Sequence, residues 1–472
     1  MNFEKIASDL SGWVWGTPLV VLLFGTHLFL TWRTGFIQRY LVRGIKISFS
    51  REKGGDGDVS QFASLMTALA ATIGTGNIVG VSTAIAAGGP GAVLWMWLTG
   101  VFGIATKYSE ALLAVKYRVH QPDGSYAGGP MYALEHGLGQ KWLGVVFGIF
   151  TMIAAFGIGC MTQANSVVGN VTHLLAGTAK SGAAWAQPET LAMILGAVMA
   201  VLTAIVILGG VKSIARVCSF LVPIMAVGYV LGCVAVLINN ASAIPGAIEV
   251  IFKSAFTGTA MGGGFIGAAL KLVMQKGIAR GLFSNESGLG SAPIVAAAAQ
   301  TRNPVRQALV SATGTFWDTV VVCAMTGLVI VSCGHWQEGL APDGTMAVTA
   351  EGKPVLVAAQ LVQDAFGTLH SVGPVVLTFG LITFVFSTIL GWCYYGEKAA
   401  EYVFGRVAVL PYRILWVGAV YYGSTKTAQA VWDFSDAANG LMAVPNLIAL
   451  LLLSGVIVKE TKAYASELTG KD

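Results

Sequence analysis

Residues 70–77 read Ala-Ala-Thr-Ile-Gly-Thr-Gly-Asn in the middle of an otherwise apolar segment. Glycine, threonine and asparagine favour helix poorly, so we expect this helix to unwind at membrane depth. An unwound stretch frees carbonyl groups to coordinate a cation and amide N–H groups to hold a carboxylate. The alternative is that Gly74 and Gly76 only allow close helix packing. Asn77 and the two threonines add ligand oxygens that packing does not need, which favours the first interpretation.

A second glycine-rich run occupies residues 258–265 and reads Gly-Thr-Ala-Met-Gly-Gly-Gly-Phe. Three successive glycines at membrane depth predict another interruption of a helix, with Phe265 beside it. Two interruptions at corresponding positions of two halves of a chain indicate the binding site of a transporter. A flexible glycine hinge without any ligand contact is the other interpretation.

Hydroxyl and carboxamide side chains recur in further apolar segments. Ser387 and Thr388 supply adjacent oxygens that suit a hard monovalent cation, although each hydroxyl can instead bond back to its own helix. Gln163 and Asn165 are expected to face the bundle interior because buried amides need partners. There they either contact a ligand or bridge helices. Trp392 either walls a small apolar pocket or faces lipid.

Charged residues are rare inside the apolar segments. Asp318 is the clearest intramembrane acid, and such a group is a functional-site hypothesis by default. Its predicted position near a helix end also suits a gate or a helix cap. Lys107 and Glu110 are spaced i, i+3 at a predicted helix end, and we expect them to form a structural ion pair.

The composition places these segments in a membrane, because 55% of the 472 residues are hydrophobic and only 11% are charged. The six cysteines form no CxxC pair and are expected to pack as small apolar residues. The first apolar run lacks a small-residue cleavage site, so we interpret it as a retained span. With about 20 apolar residues per crossing, we predict eleven spans. They lie near residues 13–31, 62–87, 91–115, 143–175, 190–209, 217–238, 247–280, 307–332, 371–396, 408–424 and 429–457.

Lysine and arginine orient these spans. If the loop after the first span is cytoplasmic, almost all loop lysines and arginines fall on the cytoplasmic side, as the positive-inside rule requires. The opposite side keeps Lys5, Lys180, Lys353 and Lys426. We therefore predict an amino terminus outside, a carboxyl terminus inside, and an extracytoplasmic loop or cap at residues 333–370.

The spans are predicted to form one transmembrane domain over residues 1–472. An additional first span and its loop (11–60) precede two halves of five spans each, residues 61–240 and 245–457. Because five is odd, the second half is inverted relative to the first. A cytoplasmic tail follows at residues 458–472.

Short motifs of this sequence occur in order over nearly the whole chain. They are Gly-Thr-Gly-Asn-Ile-Val-Gly at 74–80, Ala-Ala-Gly-Gly-Pro-Gly-Ala at 86–92 with Trp-Met-Trp at 95–97, Ala-Thr-Lys-Tyr-Ser-Glu at 105–110, Gly-Gly-Pro at 128–130, Gln-Ala-Asn at 163–165, Phe-Ser-Asn-Glu-Ser-Gly-Leu-Gly-Ser at 283–291, and residues 387–397. In these motifs the sequence resembles the alanine/glycine:cation symporter family, also called the sodium:alanine symporters. The resemblance implies a LeuT-like fold of two inverted five-helix repeats plus an additional helix. It also implies uptake of alanine or glycine driven by sodium, or by protons in some members, whereas some relatives take glutamine.

The resemblance further implies a substrate site. The broken helix would contact the carboxylate and amine of an amino acid, and side chains from other spans would wall its pocket. The residues implied for substrate binding are Gly74, Thr75, Gly76, Asn77, Gln163, Phe265 and Trp392.

For the cation, similarity to the broader fold implies one sodium position between two spans. Its ligands would be the main-chain carbonyls of Ala70 and Ile73 and the hydroxyls of Ser387 and Thr388. A second position would use the Thr72 carbonyl and the Asn77 side chain.

Together these features predict an all-α, multi-pass protein of a bacterial inner (cytoplasmic) membrane. It would import small neutral amino acids by alternating access, with co-transported Na⁺ or H⁺ and no other cofactor. No nucleic-acid partner and no obligatory protein partner are expected. A channel would need a continuous polar pore, and an enzyme would need a nucleophile with a base or clustered metal ligands. The sequence shows neither pattern.

Overall fold

The computed structural model describes residues 3–50, 55–175, 183–257, 266–340, 347, 358–370, 372–426 and 429–469. Over these residues the fold is helical, apart from a short antiparallel hairpin of β1 (Val119–His120) and β2 (Tyr126–Ala127). The helices are α1 (Phe3–Val14), α2 (Thr17–Arg33), α3 (Leu41–Ser48), α4 (Gln61–Thr72), α5 (Val81–Gly88), α6 (Ala92–Lys116), α7 (Pro130–Tyr132), α8 (Lys141–Ala154), α9 (Thr162–Leu174), α10 (Pro188–Ile207), α11 (Gly210–Asn239), α12 (Ile244–Thr257), α13 (Ile266–Asn285), α14 (Pro293–Ala296), α15 (Pro304–Thr315), α16 (Ala324–Cys333), α17 (Ala358–Gly367), α18 (Val372–Phe404), α19 (Val409–Thr425), α20 (Gln429–Leu452), α21 (Ser454–Ala463) and α22 (Ala465–Thr469).

Several connections between these helices are π-helical turns, which carry one extra residue per turn and often occur at functional sites. They are Gly76–Gly80, Ala133–Gly137, Ala155–Met161 and Phe316–Cys323. Through such turns α8 and α9 form one continuous span, and so do α15 and α16.

Within the described residues, seven helices are long and apolar enough to cross a membrane, and the bent pair of α4 and α5 makes an eighth. These eight coincide with eight of the eleven predicted spans. The other three predictions fall on α6, on α12 with α13, and on α19, which are not among the eight. An all-helical multi-pass fold is therefore confirmed. The count of eleven, the orientation and the inverted halves stay predictions.

Two sequence predictions fall wholly or largely outside the described residues. The second glycine-rich run, residues 258–265 with Phe265, is one of them. Much of the predicted outer segment 333–370 is the other; its described part includes a turn at His335–Gly339 and helix α17.

Helix α18 passes through the centre of the bundle and packs against α4, α8, α9 and α11. Its middle section is almost completely buried, with Ser387 at 0% exposure. The packing against α4 is close because α18 presents a glycine there. A Cβ atom added to Gly391 would lie 2.8 Å from the Cβ and 2.9 Å from the main-chain nitrogen of Ala71. This contact brings α18 against the last turn of α4.

We predict that Gly391→Ala separates α4 from α18 and lowers stability by about 1–3 kcal/mol, the usual effect of overpacking. Gly380→Ala on the same helix is the matched control, because its Cβ would meet only Tyr229, at an ordinary 3.5 Å. Thermal unfolding of the two purified variants in detergent measures the difference. Equal midpoints would contradict the close contact.

Candidate substrate and cation site

The predicted break in the helix after Ala70 is present. Helix α4 begins at a serine cap, where the Ser60 hydroxyl accepts a hydrogen bond from the amide of Ala63, and it ends at Thr72. Ile73 leaves the helix in an extended conformation (φ −76°, ψ 97°). The chain then resumes as a π turn and α5, at an angle of 52° to α4. β-Branched and glycine residues at the break favour this departure from the helix.

One side chain closes the break. The Oδ1 atom of Asn77 accepts a hydrogen bond of 2.8 Å from the amide of Gly74. Asn77 is completely buried, so without this bond the Gly74 amide would lose its hydrogen bond in an environment without water. Asparagine favours such local bonds to the main chain, which is why it is unusual inside regular helices.

The other end of the Asn77 carboxamide binds Asp318. Its Nδ2 atom donates to the Oδ1 atom of Asp318 at 2.7 Å and lies 3.2 Å from the Asp318 carbonyl. The Oδ2 atom of Asp318 accepts from Ser284 at 3.0 Å and from Thr319 at 2.6 Å. The carboxylate therefore orients Asn77, and two hydroxyls orient the carboxylate.

The position of Asp318 corrects the prediction that it lies near a helix end, and with it the interpretation of a helix cap. Asp318 is the fifteenth of the 30 residues in the continuous helix Pro304–Cys333 and is completely buried. Its place in the π turn Phe316–Cys323 directs its side chain towards the break. A periodic pattern cannot reveal this, because a π turn shifts the register of the helix locally.

The predicted sodium ligands lie together. The Thr388 hydroxyl is 3.1 Å from the Ala70 carbonyl oxygen and 3.4 Å from that of Ile73. The Ser387 hydroxyl is 3.3 Å from the same Ala70 oxygen. Oxygen ligands about 2.4 Å from a hard cation stand about 3.4 Å apart in octahedral geometry. The separations in this cluster are compatible with that arrangement.

The structure also contains the alternative interaction of these hydroxyls, a hydrogen bond back to their own helix. The Phe384 carbonyl lies 2.8 Å from the Ser387 hydroxyl and 2.9 Å from that of Thr388. A hydroxyl that donates to its own helix still has lone pairs for a cation. The two interpretations are therefore compatible, and the hydroxyl protons have partners when the cation is absent.

Gly74 lies where only glycine fits. A Cβ atom at Gly74 would be 2.6 Å from the Thr388 hydroxyl and 3.5 Å from the Oε1 atom of Gln163. Gln163 is buried, and its Nε2 atom donates to the Ile158 carbonyl at 3.0 Å. Among the described residues its Oε1 atom has no hydrogen-bond partner. This acceptor lies beside the break, in a position suited to accept a hydrogen bond from an ammonium group.

For the remaining predicted residues, the surroundings in the described part of the chain show burial near the break but no specific group that would bind a ligand. Thr75 and Gly76 are buried at the break, and Gly76 faces the end of α13, with a Cβ position 3.3 Å from the Cα atom of Ser284. Trp392 is buried one turn after Thr388 and packs tightly on Gly159. The Thr72 hydroxyl donates to the Ala68 carbonyl at 3.1 Å. The predicted cation ligand is the main-chain carbonyl of Thr72, which this bond does not involve.

The ion pair expected between Lys107 and Glu110 is absent from the described residues. The Oε1 atom of Glu110 instead accepts from the amides of Gly288 and Gly290, at 3.0 and 3.1 Å, and from Asn446 at 2.7 Å. Both glycines have positive φ, 90° and 88°, which turns their amides towards one carboxylate. Spacing within α6 could not show this, because the partners come from a distant loop and from α20.

Sequence reasoning also missed the partners of Asp318 and Asn77. Ser284 belongs to the motif at 283–291, but nothing in the motif indicates its partner. Thr319 and Cys323 are apparent only from the structure, where the Sγ atom of Cys323 lies 3.3 Å from Asn77 Nδ2 and 3.2 Å from Ser284. The one sequence feature that could have indicated these partners is the presence of polar residues, Thr319 and Cys323, within about one turn of the intramembrane acid Asp318. All six cysteines are free; five are buried, in agreement with the expected apolar packing, and Cys333 is partly buried.

Two cavities flank the oxygen cluster along α18. One, of about 290 Å³, is lined by residues that include Asn170, Asp364 and Thr378. The other, of about 540 Å³, is lined by residues that include Tyr394 and Glu397. At 1.5 Å per residue, Ser387 lies about 14 Å from Thr378 and about 10 Å from Tyr394 along the helix. The cluster is thus buried between two open cavities.

Comparisons with known proteins identify the family of the chain. The sequence model of the sodium:alanine symporter family matches residues 1–472. The chain belongs to the sodium:alanine symporter family. A sodium/alanine symporter named AgcS, from Methanococcus maripaludis, is 48% identical over 98% of this chain and 98% of its own length. A probable sodium/glutamine symporter named GlnT, from Bacillus subtilis, is 34% identical over 99% of this chain and 91% of its own.

The fold of this family member is also that of a solved protein. A crystal structure of MhsT in complex with L-phenylalanine superposes with a TM-score of 0.55 at 16% identity. The match covers 86% of this chain and 98% of MhsT. It supports a LeuT-type transporter fold for the described helices.

We predict that Asn77→Ala lowers stability by about 2–6 kcal/mol, because the Gly74 amide and one Asp318 oxygen both lose their partner at about 1–3 kcal/mol each. The matched control is Asn165→Ala, a half-buried asparagine of α9. Thermal unfolding and amino-acid uptake are measured for both variants after membrane insertion has been verified. An Asn77→Ala protein as stable as the control would show that Asn77 does not hold the break.

Proposed function

We propose that this protein imports small neutral amino acids, alanine and glycine, together with sodium by alternating access. The observation that carries the proposal is the oxygen cluster of Ala70, Ile73, Ser387 and Thr388 at the break of a membrane helix. Membership of a symporter family supports transport rather than catalysis. The proposed location is the bacterial cytoplasmic membrane, with the amino terminus outside.

In the proposed mechanism, a sodium ion at the oxygen cluster links α4 to α18. This fixes the carbonyls on one side of the break and leaves the other side preorganised for substrate. The amides after Gly74 and the half-helix that follows would hold the substrate carboxylate. The Oε1 atom of Gln163, which has no partner among the described residues, would accept a hydrogen bond from the ammonium group of the substrate. Because each ligand stabilises the same closed arrangement, each raises the affinity for the other.

Electrochemical coupling supplies the driving force for uptake. One positive charge moving down the membrane potential contributes roughly 2.3 kcal/mol per 100 mV, and the sodium concentration gradient adds to it. The buried cluster opens alternately to the two cavities that flank it, so that sodium and amino acid cross together. The pocket, walled in part by Trp392, would select small side chains with discrimination of about 1–3 kcal/mol per methylene.

Glutamine is the second candidate substrate, because a relative at 34% identity carries the name of a probable sodium/glutamine symporter. The two candidates are separated by competition of Ala, Gly, Ser and Gln against labelled alanine in proteoliposomes, with and without sodium. Competition by alanine and glycine alone supports the first candidate, and competition by glutamine at similar concentration supports the second. Saturable uptake that depends on neither sodium nor pH gradients would contradict symport.

For the cation site, we predict that Thr388→Val and Ser387→Ala each raise the sodium concentration for half-maximal uptake by about tenfold, which corresponds to roughly 1.4 kcal/mol for one lost oxygen ligand. Thr383→Val on the same helix is the control, because among the described residues that hydroxyl bonds within α18, to Phe379 and Gly380. Sodium titrations of uptake measure the three values. Unchanged sodium dependence in both site variants would remove this cluster from the proposal.

A further inference from the structure

A buried lysine lies behind the broken helix. Lys107 on α6 is only 4% exposed, and within the described part of the chain its Nζ atom has no hydrogen-bond partner. Taking an ammonium group out of water without a close partner is costly. An unpaired charge buried in a helix that is predicted to cross the membrane is therefore a sign of function.

The charges around Lys107 are unbalanced. The ionisable groups with which it interacts electrostatically are His27 of α2, Glu110 of α6, Glu286 of the loop after α13, and Asp318 in the middle of the α15–α16 span. Three carboxyl groups thus share one ammonium group, and none of them is hydrogen-bonded to it.

Lys107 also reaches the broken helix through a small cavity. The cavity, of about 10 Å³, is lined by residues that include Lys107, Thr72 and Asn285. This is about the space of one water molecule, and its walls are polar enough to hold one. Thr72 is the last residue of α4 before the break.

From the cavity, a chain of hydrogen bonds leads to the break. Asn285 Nδ2 donates to the Thr319 hydroxyl at 3.1 Å, and that hydroxyl donates to Asp318 at 2.6 Å. Asp318 in turn binds Asn77, whose Oδ1 atom accepts from the Gly74 amide. The charge of Lys107 therefore acts on the same polar network that holds the break.

We propose that Lys107 is a resident cation that weakens the attraction of the buried carboxylates for the transported cation and so sets the cation affinity of the site. This inference rests on the proposed function. A transported ion must be bound strongly enough to enter and weakly enough to leave. Without the ammonium group, the carboxylates hold the ion more tightly and its release slows.

The experiment measures sodium binding without transport, as the sodium-dependent rise in thermal stability of the purified protein. For Lys107→Met we expect the half-maximal sodium concentration to fall on the order of tenfold, because one repelling charge is removed from a region of low effective dielectric. Lys107→Arg keeps the charge and is expected to stay within about twofold of the unmodified protein.

The matched charge control is Lys116→Met, which removes a lysine from the end of the same helix, where it pairs with Glu460 at the protein surface. Solvent screens that charge, so sodium binding should not change. If Lys107→Met does not insert into the membrane, Lys107→Gln, which keeps a polar group at the cavity, replaces it.

The outcomes separate the two proposals. A sodium response in the unmodified protein that is unchanged in Lys107→Met, or equally changed in Lys116→Met, overturns the role of Lys107 and leaves the proposed function intact. The absence of any sodium response in the unmodified protein overturns the proposed sodium coupling, and the role of Lys107 with it.

Discussion

A main-chain amide in the membrane interior has no water to bind, and this constraint governs the arrangement around Gly74. Unwinding the helix frees the Gly74 N–H, and Asn77 satisfies it at 2.8 Å. Asn77 in turn needs a partner for its own N–H₂ group, and Asp318 provides it. Ser284 and Thr319 then satisfy the second oxygen of Asp318. Helices α4, α13 and the α15–α16 span meet behind the break for this reason.

The front of the break, the side that faces α18, has a different character from the back, where Asn77 and Asp318 lie. Its carbonyls, at Ala70 and Ile73, face hydroxyls of α18 rather than a fixed positive group. Hydroxyls interact weakly enough with carbonyls to be displaced from them by a cation, and they have an alternative partner in Phe384. The back of the break is therefore permanently satisfied, whereas the front can exchange between a bound and a free state. Such an asymmetry suits a site that must bind and release its ions.

The interior charges follow a similar division. Glu110 is fixed by two loop amides and by Asn446, so it has a structural role in holding the loop after α13 against α6. Lys107, three residues earlier on α6, has no such fixation. Sequence spacing paired these two residues, but their surroundings differ. The Oε1 atom of Glu110 accepts three hydrogen bonds, whereas the Nζ atom of Lys107 makes none among the described residues.

The sequence alone determined the membrane class, most of the spans, the break after Ala70 and the association of Ser387 and Thr388 with the carbonyls of Ala70 and Ile73. Apolar length and poor helix formers are local properties, and the motif resemblance supplied the pairing of distant residues. Only the tertiary structure decided the partners of Asn77, the mid-helix position of Asp318 and the separation of Lys107 from Glu110. These depend on π turns that shift helix register and on loops that approach from far along the chain, and no local pattern in a single sequence records either.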